Sequence, residues 1–179
     1  MIRQTTFGIA LSMLVLASGL PISVPGHSST KKTIQNQSSV SSRRLIASNN
    51  SQTNALEKSV FDQINRYRVS KGMSKLTISP KITKQARIHS QNMASGKVPF
   101  SHNGFEKRVN AIPIRYNSAS ENVAYNLGYS DPASEAVQGW IKSRGHLKNI
   151  KGNYNLTGIG VSTNNQGEVY LTQIFLNSR

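Results

Sequence analysis

The chain has 179 residues, with 22 Lys and Arg against seven Asp and Glu, a formal charge of +15 and no cysteine. That length suits one folded domain plus appendages, and a domain of about 120 residues closes a core without disulfide staples. Absent thiols exclude disulfide scaffolding, thiol redox chemistry and thiolate metal sites. The positive charge favours acidic glycans, teichoic acid or lipid headgroups as surroundings.

At the N-terminus Arg3 precedes an apolar run from Phe7 to Leu16, and the small residues Ala17, Ser18 and Gly19 follow. This is the pattern of an export signal over residues 1–20, with an uncleaved anchor as the alternative. The run is shorter than the roughly 20 apolar residues of a membrane span, and no other stretch comes closer. Residues 21–54 are rich in Ser and Asn, carry Lys31, Lys32, Arg43 and Arg44, and contain no acid. Too little apolar surface is present to offset chain entropy, so a disordered basic linker is expected there. It either spaces the domain from an envelope surface or touches anionic polymer. His27 lies in it and carries no functional weight.

The domain is expected over residues 55–179. Leu56, Val60, Ile64 and Tyr67 recur at helical spacing and predict a helix over 55–70, with Asn54 as its cap, Glu57 three residues on, and Gly72 as its stop. Ser79-Pro80 opens a second helix that ends before Gly96, with Ile82, Ala86, His89 and Met93 on one face. A lone His on such a face is read first as a packed, hydrogen-bonded core residue. Phe105 to Ile112 predicts a short helix with Glu106, Lys107 and Arg108 facing water. Asp131-Pro132 opens the most regular amphipathic helix: Ala133, Ala136, Val137, Trp140 and Ile141 follow the i, i+3, i+4, i+7, i+8 rule. Trp140 is its core anchor, and Gly145-His146 is expected to turn the chain just past its end. Strands are predicted over Thr157–Thr163 and Glu168–Leu176, with a third within Asn117–Tyr125. Gly158 and Gly160 leave a bare face on which another element can approach closely.

Three short segments hold the scarce titratable groups: Ser101-His102-Asn103-Gly104, Ser120-Glu121-Asn122-Val123-Ala124 and Gly145-His146-Leu147-Lys148-Asn149-Ile150. Two imidazoles and a carboxylate are the donor types of many zinc sites, and imidazole suits copper and nickel as well. The spacing of His102, Glu121 and His146 matches no local metal motif, so His102 and His146 stand as candidate metal ligands only, for zinc or another divalent ion. Ser101, Asn103 and Asn122 are candidates to support the rings. Hydrolysis without a metal needs a nucleophile beside a base. Ser101, Ser120 and Ser143 are near in sequence but lie in no nucleophile-elbow motif. The third reading is structural: His102 and Glu121 hydrogen-bond and lock loops. Tyr116, Tyr125 and Tyr129 either flank an apolar cleft or serve as half-buried loop anchors. No nucleic-acid motif and no interleaving of aromatic with basic residues is present, which argues against nucleic acid as a partner.

The order SHNGF, SENVA, a Trp-bearing helix running into GHLKNI, then GIGV and YLTQIF resembles the CAP superfamily, in its short bacterial extracellular branch. The likeness covers roughly residues 55–179. It implies an α+β fold, an α-β-α sandwich with a small antiparallel sheet flanked by helices, and a shallow cleft holding two His and two acidic residues. His102, Glu121 and His146 match three of those positions. In many relatives a Glu follows the helix Trp by one turn. Here Ile141, Lys142 and Ser143 follow Trp140, so Glu135, one turn before it, is a weak substitute. What the resemblance implies is a secreted or envelope-associated protein that binds a lipid, glycan, peptide or divalent ion outside the cell. The rival expectation is a secreted peptidase-like or envelope-degrading hydrolase using His102, Glu121 and His146.

Overall fold

The computed structural model describes the backbone of residues 31–179 and the side chains of residues 50–179. The expected export signal and residues 21–30 of the expected linker lie outside the described residues. The chain divides into two compact units, Met1–Ser38 and Ser39–Arg179, and every contact described below lies within the second. In chain order the elements are α1 (Lys31–Ser70), β1 (Thr77–Ile78), α2 (Pro80–Ala94), α3 (Phe105–Asn110), β2 (Tyr116–Asn126), α4 (Pro132–Lys142), α5 (Arg144–Ile150), β3 (Leu156–Thr163) and β4 (Val169–Ser178).

Helix α1 starts well before the residue 55 expected for it, so residues 31–54, read as disordered, are helical. No Gly or Pro interrupts the chain from Lys31 to Lys71, and the change in composition at residue 54 therefore has no backbone counterpart. Asn54 is accordingly not a cap. Its side-chain oxygen accepts a hydrogen bond from Arg87 Nη2 at 2.7 Å. The helix does stop where expected, with Gly72 at φ +72°.

The sheet runs β1-β3-β4-β2. β4 pairs antiparallel with both β3 and β2, and the two-residue β1, not anticipated from the sequence, pairs parallel with β3. Side-chain alternation divides the core into two layers. Val169, Leu171 and Phe175 point to α1, α4 and α5, packing with Val60, Ile64, Val137, Trp140 and Ile150. Ile174 and Leu176 point the other way, to Ile82 and Ala86 of α2 and Val109 of α3. Helices thus cover both faces, the α-β-α sandwich expected. Gly158 and Gly160 lie on the α2 side, where an added Cβ would collide with the backbone of Ile82 and Thr83 or of Ala86 and Arg87. Their bare face lets α2 lie directly on β3.

Polar side chains fix the remaining joints. Asp131 caps α4 by accepting from Ser134 N at 3.0 Å, and the Ser134 hydrogen bonds hold its carboxyl below the usual range. Trp140 is buried and donates Nε1–H to the Val123 carbonyl at 2.9 Å, tying α4 to β2. Asn65 pairs with both backbone groups of Leu76. Buried Arg68 donates to the carbonyls of Ser74, Ile150, Gly152 and Tyr154, so the end of α1 anchors the turn after α5.

Candidate functional site

Because β2 is an edge strand, elements from both faces of the sheet can meet along its open side. Residues alternate across it: Glu121 and Val123 share a face with Ile174 and Thr172, whereas Asn122 pairs with Gln173 on the opposite face. Glu121 lies mid-strand.

On the α2 side, His89 is buried, as its place on an apolar face predicted, and its Nε2–H donates to the Ser101 carbonyl at 2.9 Å. That bond holds the loop carrying His102. Gly104 then turns the chain into α3 with φ +75°, a conformation open to glycine at little strain. His102 Nδ1 lies 3.0 Å from Glu121 Oε1. A carboxylate accepts, so Nδ1 carries a proton, and the half-exposed ring has no hydrogen-bond partner on Nε2 among the described residues.

Arg108 corrects an expectation. Placed on α3 and expected in water, its side chain is only 11% exposed and grips Glu121, whose side chain is 1% exposed. Nη2 lies 2.7 Å from Oε1, Nε lies 3.0 Å from Oε2, and Nη1 donates to the Asn103 carbonyl at 2.7 Å. One guanidinium therefore neutralises the buried carboxylate and fastens the His102 loop to it. A forked pair of this kind is stronger and more directional than a Lys contact. Glu106 and Lys107 are exposed as predicted.

On the other face, the helix break falls at Ser143, so His146 lies inside α5 and not past a helix end. The missed residue here is Asn149, three positions on and on the same helical face. Its amide donates to the Glu121 carbonyl at 3.1 Å and to Asn122 Oδ1 at 2.8 Å. Asn122 in turn donates to the His146 carbonyl at 3.2 Å. This clamp brings the His146 ring to 6.3 Å from that of His102, centroid to centroid, with the planes tilted by 46°. Burial, and secondarily the neighbouring His102, lower the pKa of His146. His89 is also lowered, chiefly by burial.

His102, Glu121 and His146 thus converge from three elements. Glu135 does not join them: among the described residues no hydrogen bond or ion pair links it to the cluster. Ser101, Asn103 and Asn122 support the cluster through backbone carbonyls and a helix clamp rather than through the ring nitrogens of His102 and His146. The metal reading fits poorly. Both Glu121 oxygens already accept from Arg108, which leaves two imidazoles where zinc takes three or four protein ligands. Among the described residues, no group of three or more His, Cys, Asp or Glu is arranged to hold an ion. No helix among them is long and apolar enough to cross a membrane.

The tyrosines separate. Tyr116 sits at the far end of β2 with its hydroxyl on Asn110. Tyr125 and Tyr129 are exposed, and Tyr125 packs between Phe100 and Tyr170, at 6.3 and 5.2 Å between centroids.

A family model for CAP, the cysteine-rich secretory protein family, matches residues 61–175. YkwD of Bacillus subtilis (strain 168) is 32% identical over 162 residues, 83% of this chain and 61% of that protein, so the chain spans about three fifths of that relative. An extracellular protein containing an SCP domain from Bacillus anthracis str. Ames is 27% identical, with a TM-score of 0.59 over 70% of this chain and 41% of the other. An outer surface protein from Borrelia burgdorferi has a TM-score of 0.62 at 15% identity, over 70% of this chain and 94% of its own, a likeness of fold. Despite its lack of cysteine, the chain belongs to the cysteine-rich secretory protein (CAP) family.

Proposed function

We propose that this chain is an exported CAP-domain module whose His102–Glu121–His146 cluster binds a hydroxyl- or amide-bearing ligand outside the cell. The observation that carries this reading is the occupancy of Glu121. With its oxygens held by Arg108 and His102, the carboxylate fixes the His102 ring and leaves Nε2, unpartnered among the described residues, beside the second imidazole. Export is supported by Arg3 and the apolar run Phe7–Leu16, and by the extracellular and outer-surface descriptions of the solved relatives. The division into a signal over residues 1–20, a basic spacer to residue 54 and a binding domain over 55–179 belongs to the same proposal, with the spacer helical from Lys31.

The hydrolase reading has less support. Among the described residues no Ser or Thr hydroxyl hydrogen-bonds to the His102 or His146 ring, the pairing that activates a nucleophile. The test is to incubate the purified chain with bacterial cell-wall sacculi, measuring retained protein and released soluble fragments. Retention without release, weakened by His102→Ala, is the expected result. Release of fragments that disappears in His102→Ala would replace binding with catalysis.

A further inference from the structure

Away from the histidines, one row of side chains crosses three strands on the α2 face. Ser162 of β3 pairs with Tyr170 of β4, and Tyr170 pairs with Tyr125 of β2. Phe100 extends the row beyond Tyr125. Phe100 is 51% and Tyr125 41% exposed, and Leu127 and Tyr129, just after β2, are exposed as well. Apolar rings gathered at a surface usually mark a contact area. These rings are also fixed in advance. Glu168 accepts from Tyr125 Oη at 2.8 Å and from Tyr170 Oη at 3.2 Å, and Asn164 Nδ2 donates to the same carboxylate. Holding the rings by their hydroxyls lowers the entropy lost when a ligand lies against their faces.

At the Ser162 end the row opens into a cavity of about 540 Å³ between α1, α2 and β3. Its described lining is mainly uncharged and polar, including Asn50, Thr53, Gln91, Ser162 and Asn165. Amides and hydroxyls both donate and accept, as a sugar does. Among the described residues that line it, the one charged side chain, Arg87, is paired with Glu57 and bonded to Asn54.

We propose that the amide-lined cavity and the Tyr170–Tyr125–Phe100 row form a binding track for an uncharged glycan chain, separate from the His102 cluster. The rings receive the C–H faces of successive sugars, and the cavity receives hydroxyls or N-acetyl groups. Other occupants fit less well. A nucleic acid needs unpaired cations among the rings, and the described residues of the cavity offer none. A peptide strand added to β2 needs free edge carbonyls, and those of Glu121 and Val123 are taken by Asn149 and Trp140. A lipid tail needs an apolar cavity.

The test is titration of the full chain with chitotetraose, a neutral N-acetylglucosamine tetramer, followed by calorimetry and by amide shifts in NMR. Binding in the millimolar range or tighter is expected, weakened about tenfold by Tyr125→Ala and about fivefold by Gln91→Ala. Affinity should hold when salt rises from about 0.1 to about 0.5 M, because no net charge is engaged. Glu106→Ala, at an exposed position on α3, should leave this binding unchanged. No binding at millimolar chitotetraose overturns the proposal, as does binding indifferent to Tyr125→Ala and Gln91→Ala. Loss through His102→Ala alone would move the glycan to the histidine cluster, overturning the track while favouring the cluster reading.

Discussion

Two Arg–Glu pairs bracket the sheet, and they differ mainly in water. Arg108–Glu121 sits at the β2 edge with side chains 11% and 1% exposed, whereas Arg87–Glu57, at the α1–α2 junction, is 43% and 10% exposed. Both are forked, and both carboxylates take a further bond: Glu121 from His102, Glu57 from Val161 N. Solvent screens the Arg87 guanidinium and can replace its partner, but it reaches little of Arg108. Identical chemistry therefore serves two ends. One pair staples two helices, and the other builds a charge-neutral floor beneath an imidazole.

The sharpest way to break this contrast is Arg108→Ala, which leaves a buried carboxylate unpaired. A loss of about 3–5 kcal/mol is expected in urea unfolding, as for other buried pairs deprived of one member. The same variant frees Glu121 to act with His102 and His146, so zinc measured by calorimetry should bind more tightly than to the parent chain. Equal affinity would show that the guanidinium does not keep metal out. Arg87→Ala should lose only about 1 kcal/mol, less at high salt, by the same measurement.

The smallest effect is with pH. His89 and His146 have folded pKa values below the unfolded value of about 6.5, so the unfolded chain takes up protons first as pH falls. Their penalty is absent above about pH 6.5 and grows below it until the folded rings titrate. Thermal midpoints should therefore fall between pH 7 and pH 5. His89→Gln, which retains a donor toward the Ser101 carbonyl, should flatten that slope, and an unchanged slope would exclude His89 as a source.

Much of the fold was legible because it is local. The spacing from Ala133 to Ile141, the Ser79-Pro80 opening of α2 and the bare face of Gly158 and Gly160 each state their own geometry, and each appears in the structure. His89 was legible for the same reason: its neighbours on the helix named its environment. Arg108 was not, because a cation in Glu106-Lys107-Arg108-Val109 looks solvated until β2, a dozen residues on, supplies Glu121 beneath it. The start of α1 is hidden because low hydrophobicity argues against a core contact, not against helical backbone. His146 sits one element away from its expected place because Gly145 reads as a break, while the chain turns at Ser143. Asn149 left a faint signal, an amide one turn from His146 on the same face.

By itself the sequence determined the periodicities that make the helices and strands, and it named His102, Glu121 and His146 as the scarce groups worth watching. Only the tertiary structure decided what those groups face: a guanidinium under the carboxylate, an amide clamp behind one imidazole and a tethered loop behind the other. The reason is range. Hydrophobic spacing acts over one helical turn or one pleat, whereas a buried charge is defined by partners that only packing brings within hydrogen-bond reach.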